Sequence, residues 1–143
     1  MRATLFLTLA LPAFSAAAQR LPVVDLSSGM QLIHAEVADS DATRAQGLMF
    51  RESLPTNAGM VFVFDRSATH CMWMKNTLVP LSVAFIDEAG AILNIEDMQP
   101  QTEESHCAAK PARYALEMNK GWFAQRGIKP GAKLRGLEKL RPR

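Results

Sequence analysis

The chain has 143 residues, with 16 basic side chains against 14 acidic ones. That near balance excludes the electrostatic footprint of a nucleic-acid binder, and the length allows one domain that buries a single core without help. Much of the basic excess lies at the end, where Arg126, Lys129, Lys133, Arg135, Lys139, Arg141 and Arg143 face only Glu138, a short tail that reads as solvated surface.

The first segment, MRATLFLTLALPAFSAAAQ, has the form of an export signal. Arg2 is its charged start, Ala3 to Phe14 its apolar stretch, and Ala16-Ala17-Ala18 its small residues, so cleavage is expected after Ala18. The apolar stretch is shorter than the roughly 20 residues a spanning helix needs, and Pro12 and Ser15 interrupt it. No membrane span is therefore expected after cleavage. Residues 19–143 then form a single β-rich domain in the periplasm or outside the cell.

Ile33 to Val37 alternates apolar and polar residues, the period of a half-buried strand with His34 on its exposed face. Asp39 or Ser40 can cap a short helix that Gly47 closes. The stretch SLPTNAG then reads as a turn region. Met60 to Phe64 is apolar on both faces and predicts a central strand ending at Asp65-Arg66. Extended chain is expected over about residues 70–74, broken by Asn76-Thr77 and Pro80. Leu81 to Ile86 and Ala91 to Ile95 flank Asp87-Glu88-Ala89-Gly90 as a hairpin. Gln99 to Pro111 reads as a polar loop, and Tyr114 to Met118 as a strand with Glu117 on the face opposite Tyr114, Leu116 and Met118. Asn119 is placed to cap a single-turn helix over Gly121 to Arg126, and Ala132 to Leu134 is a last short strand. Short strands, Gly/Pro turns and two short helices predict a mainly β domain, a compact sandwich or barrel.

Four motifs stand in order along this chain: Arg44-x-x-Gly47-Leu48-Met49-Phe50-Arg51; Met60-x-Phe62-x-Phe64; Trp73-Met74-Lys75-Asn76-Thr77-x-x-Pro80-Leu81; and Tyr114-x-Leu116-Glu117 with Gly121. Together they resemble domain-of-unknown-function family 192 over about residues 30–137. The resemblance implies a small, mainly β domain of bacteria and archaea, jelly-roll or sandwich-like and often behind an export signal, with no established activity.

Cys71 and Cys107 are the chain's two cysteines. In an oxidising compartment an even pair defaults to a disulfide, and closing a loop of this size stabilises by roughly 3–4 kcal/mol. The adjacent His70 and His106 would complete a zinc ligand count, but neighbouring residues on a strand point to opposite faces, and a disulfide consumes both thiolates. Methionines that could hold copper are more often core fillers. No metal and no cofactor is expected. A cysteine nucleophile, Cys71 or Cys107 with His70 or His106 as its base, requires a reduced thiol.

Interest falls on Lys75-Asn76-Thr77, where an ammonium, an amide and a hydroxyl follow a packed strand. With Arg51, Trp73 and Glu117, and with Arg44 nearby, they could form a pocket for a carboxylate or polyol. The expected function is non-catalytic binding of a small polar or anionic ligand or a cell-envelope partner. The alternatives are a hydrolase or lyase using Lys75 and Glu117 or a free Cys71, and a purely structural or interaction protein in which these residues hold turns and Lys75 and Glu117 are an ion pair.

Overall fold

The alternation of apolar residues dictates the strands of the computed structural model, which describes residues 20–143. The expected export segment over residues 1–18 lies outside the described residues. Strand β1 (Val23–Ser28) turns back into β2 (Gln31–Ala38), whose Ile33, Ala35 and Val37 are buried between half-exposed neighbours. Helix α1 (Asp41–Gln46) begins at Ser40. The Ser40 N–H donates to Thr43 Oγ1 (3.0 Å) and the Thr43 N–H to Ser40 Oγ (3.3 Å), a reciprocal cap that satisfies two otherwise orphaned donors. Strand β3 (Ala58–Ala68) runs past the expected stop at Asp65-Arg66, and β4 (Cys71–Met72) is all that becomes a strand of the predicted extended run over residues 70–74. Strands β5 (Leu81–Ile86) and β6 (Ile92–Met98) make the predicted hairpin. A two-residue strand β7 (His106–Cys107) interrupts the predicted polar loop. Strand β8 (Ala112–Asn119) precedes helix α2 (Trp122–Gln125).

The main sheet has the order β1-β2-β3-β8-β5-β6, and β4 pairs with β7 in a separate ribbon. Only β2 and β3 are parallel, joined by the crossover that contains α1. The mainly β class with two short helices is as the sequence predicted, and the six-stranded sheet stays open rather than closing into a barrel. Three local readings change. Asn119 does not cap α2, which starts at a left-handed Gly121; its side chain instead donates to the Leu54 carbonyl (2.8 Å), holding the turn before β3. Residues 132–134 contribute an isolated bridge, Ala91 to Lys133, rather than a strand. Strand β1 was not foreseen, because its polar Asp25, Ser27 and Ser28 dilute the apolar signal.

Both faces of the sheet are covered. On one face Leu26, Ile33, Val61, Val63, Leu116 and Met118 pack against Trp122, Phe123, Ile128, Leu134 and Leu137 from α2 and the C-terminal segment. On the other, Met60, Phe62, Phe64, Val83, Phe85 and Ala115 pack under Leu48, Met74 and Val79. Each such fully buried large side chain stabilises by about 1.5–3 kcal/mol. The central pair β3–β8 leaves no room at Gly59, where a Cβ would run into the Glu117 carbonyl oxygen and Met118 Sδ. Gly59→Ala must therefore push backbone, and we expect it to destabilise by about 3 kcal/mol, read from the urea midpoint. A loss under about 1 kcal/mol would mean that β3 and β8 can part at this register.

Candidate functional site

The β4–β7 ribbon is the lid over the second face of the sheet. Cys71 and Cys107 are register partners in it and stand at disulfide distance, with Sγ–Sγ 2.07 Å and Cα–Cα 4.0 Å. Among the described residues no cysteine is free, so a Cys71 nucleophile has no thiol to use. The two histidines go separate ways. His70 stacks on Phe64 with ring centroids 3.7 Å apart, and its Nε2 lies 2.9 Å from the Arg66 carbonyl. A carbonyl only accepts, so Nε2 is the donor in this contact. His106 instead approaches Glu96 at 3.8 Å, with its Nε2 buried and unpartnered.

Between this ribbon, α1 and the sheet lies a cleft of about 620 Å³. Phe62 and Phe64 from β3 wall one side, Leu48 and Met49 follow from the end of α1, and Met72, Trp73 and Thr77 come from the segment after β4. Asp41, Arg44, Asp65, Arg66 and His70 supply its polar edge, and Glu117 its floor. Gly47 ends the α1 wall in a backbone conformation that side chains rarely adopt. Its φ of +48° is left-handed, and a Cβ there would stand 3.4 Å from the Phe62 ring.

Glu117 is the unusual group. It sits mid-strand on β8, opposite Met60 of β3 and Val83 of β5, and only 4% of it is exposed. Burial disfavours the charged form and pushes its carboxyl up to about 8, with no hydrogen bond or nearby charge among the described residues to offset this. Among the described residues its oxygens are not sealed off as His106 Nε2 is, so the remaining exposure opens into the cleft. Arg44 does not neutralise it. That guanidinium is held by the Val63 carbonyl (2.7 Å), Asp41 (2.6 Å) and Asp65 (3.2 Å).

Of the six residues the sequence put in one pocket, the cleft brings together Trp73, Thr77 and Glu117. Arg51, Lys75 and Asn76 are not part of its lining. Arg51 pairs with Glu36 (2.9 Å), which raises the guanidinium above its ordinary range through that hydrogen bond and charge. Lys75 is exposed and stands 5.3 Å above the Trp73 ring, so neither the structural ion pair with Glu117 nor acid–base work between the two has a contact behind it. Asn76 takes a left-handed turn (φ +53°), and its carbonyl accepts from the Phe50 N–H (2.9 Å). Thr77 is buried, and its hydroxyl donates to the Lys75 carbonyl (3.2 Å). Sequence reasoning missed Phe62, Phe64 and His70 as lining residues. The first two were legible only as core, and the strand-end position of His70 gave no sign that its ring would fold back onto Phe64.

A domain with this sheet, disulfide-spaced ribbon and cleft belongs to a defined class of protein. The model of family 192, described as "Uncharacterized ACR", matches residues 23–136, and the chain belongs to that family. Two solved structures are similar to it. One is a protein from Sinorhizobium meliloti provisionally called a transcription regulator, 32% identical with a TM-score of 0.79, covering 85% of this chain and 99% of that one. The other is a protein of unknown function from Novosphingobium aromaticivorans, 32% identical with a TM-score of 0.76, covering 90% and 99% respectively. No protein of curated function matches the chain.

Proposed function

We propose that this chain is an exported, non-catalytic domain that binds a small polar molecule, free or carried on a cell-envelope component, in the cleft above Glu117. One observation carries the reading: a carboxyl buried in an apolar sheet, unpartnered among the described residues, at the bottom of a cavity large enough for a small ligand. A buried polar group without a partner costs about 1–3 kcal/mol, and a ligand group that meets it recovers that loss. The centre of binding moves accordingly from the Lys75-Asn76-Thr77 rim to Glu117, with Trp73 and Thr77 kept as walls. Export rests on the form of residues 1–18 and on cysteines at disulfide distance, a pairing that persists outside the reducing cytosol.

The test is an NMR titration with three probes of one shape: benzyl alcohol, benzylamine and benzoate. At least one should shift the Trp73 indole and the Met49 and Met72 methyl signals in the wild type. Lys75→Ala and Arg51→Ala should respond like the wild type, and Glu117→Leu should not. Binding that survives Glu117→Leu, or no response to any probe, would sink the reading.

A further inference from the structure

The ligand class can be drawn from the charges and faces that surround Glu117, taking the ligand-binding reading above as its basis. We propose that the cleft takes an organic ammonium ion, an alkyl- or arylamine whose charged nitrogen pairs with Glu117 and whose carbon body lies against Phe62 and Phe64.

Three features converge on this class. The first is the floor. Glu117 is nine-tenths buried and more, has no donor among the described residues, and opens into the cavity. A carboxylate in such a place is stabilised most by a cationic donor, because a charge-assisted hydrogen bond is roughly twice as strong as a neutral one. The second is the balance of charge. Asp41 and Asp65 also face the cleft, and Arg44 is already held by both and by the Val63 carbonyl. Of the two guanidinium groups on the cleft, Arg66 is exposed at the mouth, and among the described residues no protein cation pairs with Glu117 at the floor. The third is the walls. Phe62, Phe64 and Trp73 wall the cleft with aromatic carbon for the body of the ligand; His70 stacks on Phe64, and the Lys75 ammonium stands over Trp73.

The protonation balance is explicit. Free Glu117 holds its proton at neutral pH, and on binding the carboxylic acid gives that proton to solvent. The resulting carboxylate pairs with the ammonium, and no covalent bond between ligand and protein is made. The groups facing Glu117 are Asp41 and Arg44 from α1 and Asp65, Arg66 and His70 from β3 and its extension, while its strand neighbours Met60 and Val83 are apolar.

Calorimetric titration with benzylamine, benzyl alcohol and benzoate tests this. Benzylamine should bind at least tenfold more tightly than benzoate at pH 7.5. Its affinity should rise by about tenfold per pH unit from pH 6 towards pH 8, with about one proton released per binding event, read from buffers of different ionisation heat. Glu117→Gln should weaken benzylamine at least tenfold and remove the proton release, while changing benzyl alcohol less than about threefold. Benzoate binding as well as benzylamine, or benzylamine binding unchanged by Glu117→Gln, overturns the proposal. If benzyl alcohol shifts the cleft signals and benzylamine does not, the ammonium class fails and the ligand-binding reading survives. If no probe binds, both fail.

Discussion

At pH 8, Glu117→Gln is expected to be more stable than the wild type, and most of that advantage should be gone at pH 5. The folded-state carboxyl titrates at about 8, above its ordinary value of 4.5, because burial removes water and nothing replaces it. A group whose folded-state pKa is raised contributes stability that is fully present below the unfolded value. That contribution is lost as pH rises through the folded value. Between those limits the wild type therefore loses about 1.4 kcal/mol per pH unit on account of this residue. Glutamine has the same shape and no charge to desolvate, so the difference between the two proteins isolates Glu117 and cancels every other titration. Urea midpoints at pH 5 and pH 8 should diverge by an amount of order 4 kcal/mol. Parallel profiles would mean that a donor inside the protein already pairs the carboxyl, and the argument for a ligand would lose its foundation. A residue that lowers stability at neutral pH, when an isosteric neutral one is available, is better explained by what it binds than by what it holds together.

The sheet was legible because burial imposes period two. Ile33, Ala35 and Val37 had to share a face, and so did Tyr114, Leu116 and Met118; both sets do. The capped helix was legible from Ser40 and Gly47, whose roles are local chemistry. The cysteine pair was legible from the number of cysteines and the expectation of an oxidising compartment. The cleft was not, because it is built by long-range approach. Phe62 and Phe64 alternate like any core residues, and nothing along the chain says that the α1 end and the residue 71–77 segment stop short of covering them. Lys75 and Glu117 lie on motifs that are neighbours in the fold, yet the strand after β4 is only two residues long. Beyond it the chain turns, and the ammonium leaves over Trp73 instead of turning in. Arg51 was drawn away by Glu36 of β2, a partner with no signal in the sequence. Glu117 itself was visible as a lone acid in an apolar strand, which is the one kind of anomaly that pattern reading detects without a structure.

Replacing Cys71 and Cys107 together by serine should cost about 3–4 kcal/mol and should also weaken ligand binding. The first part follows from loop closure, since the pair spans 36 residues that include β5, β6 and the lid. The second follows from position. β4 and β7 form only a two-residue ladder, too little to hold a ribbon in water, and the segment it anchors supplies Met72, Trp73 and Thr77 to the cleft. Backbone bonds from Ala108 N–H to the His70 carbonyl (2.9 Å) and from Met74 N–H to the Thr102 carbonyl (3.0 Å) brace the same two segments, so the fold itself should survive. The double variant is therefore expected to keep its sheet by far-ultraviolet circular dichroism, unfold at lower urea, and bind benzylamine several-fold more weakly. The ordering free energy of the lid then comes out of the binding free energy. Reduction of the wild type should reproduce this, and reoxidation should reverse it. If binding is untouched while stability falls, the lid is ordered without the crosslink and the cysteines serve the fold alone. If binding falls together with stability, the crosslink becomes a requirement of the site, and the proposed ligand recognition depends on conditions that keep the pair oxidised.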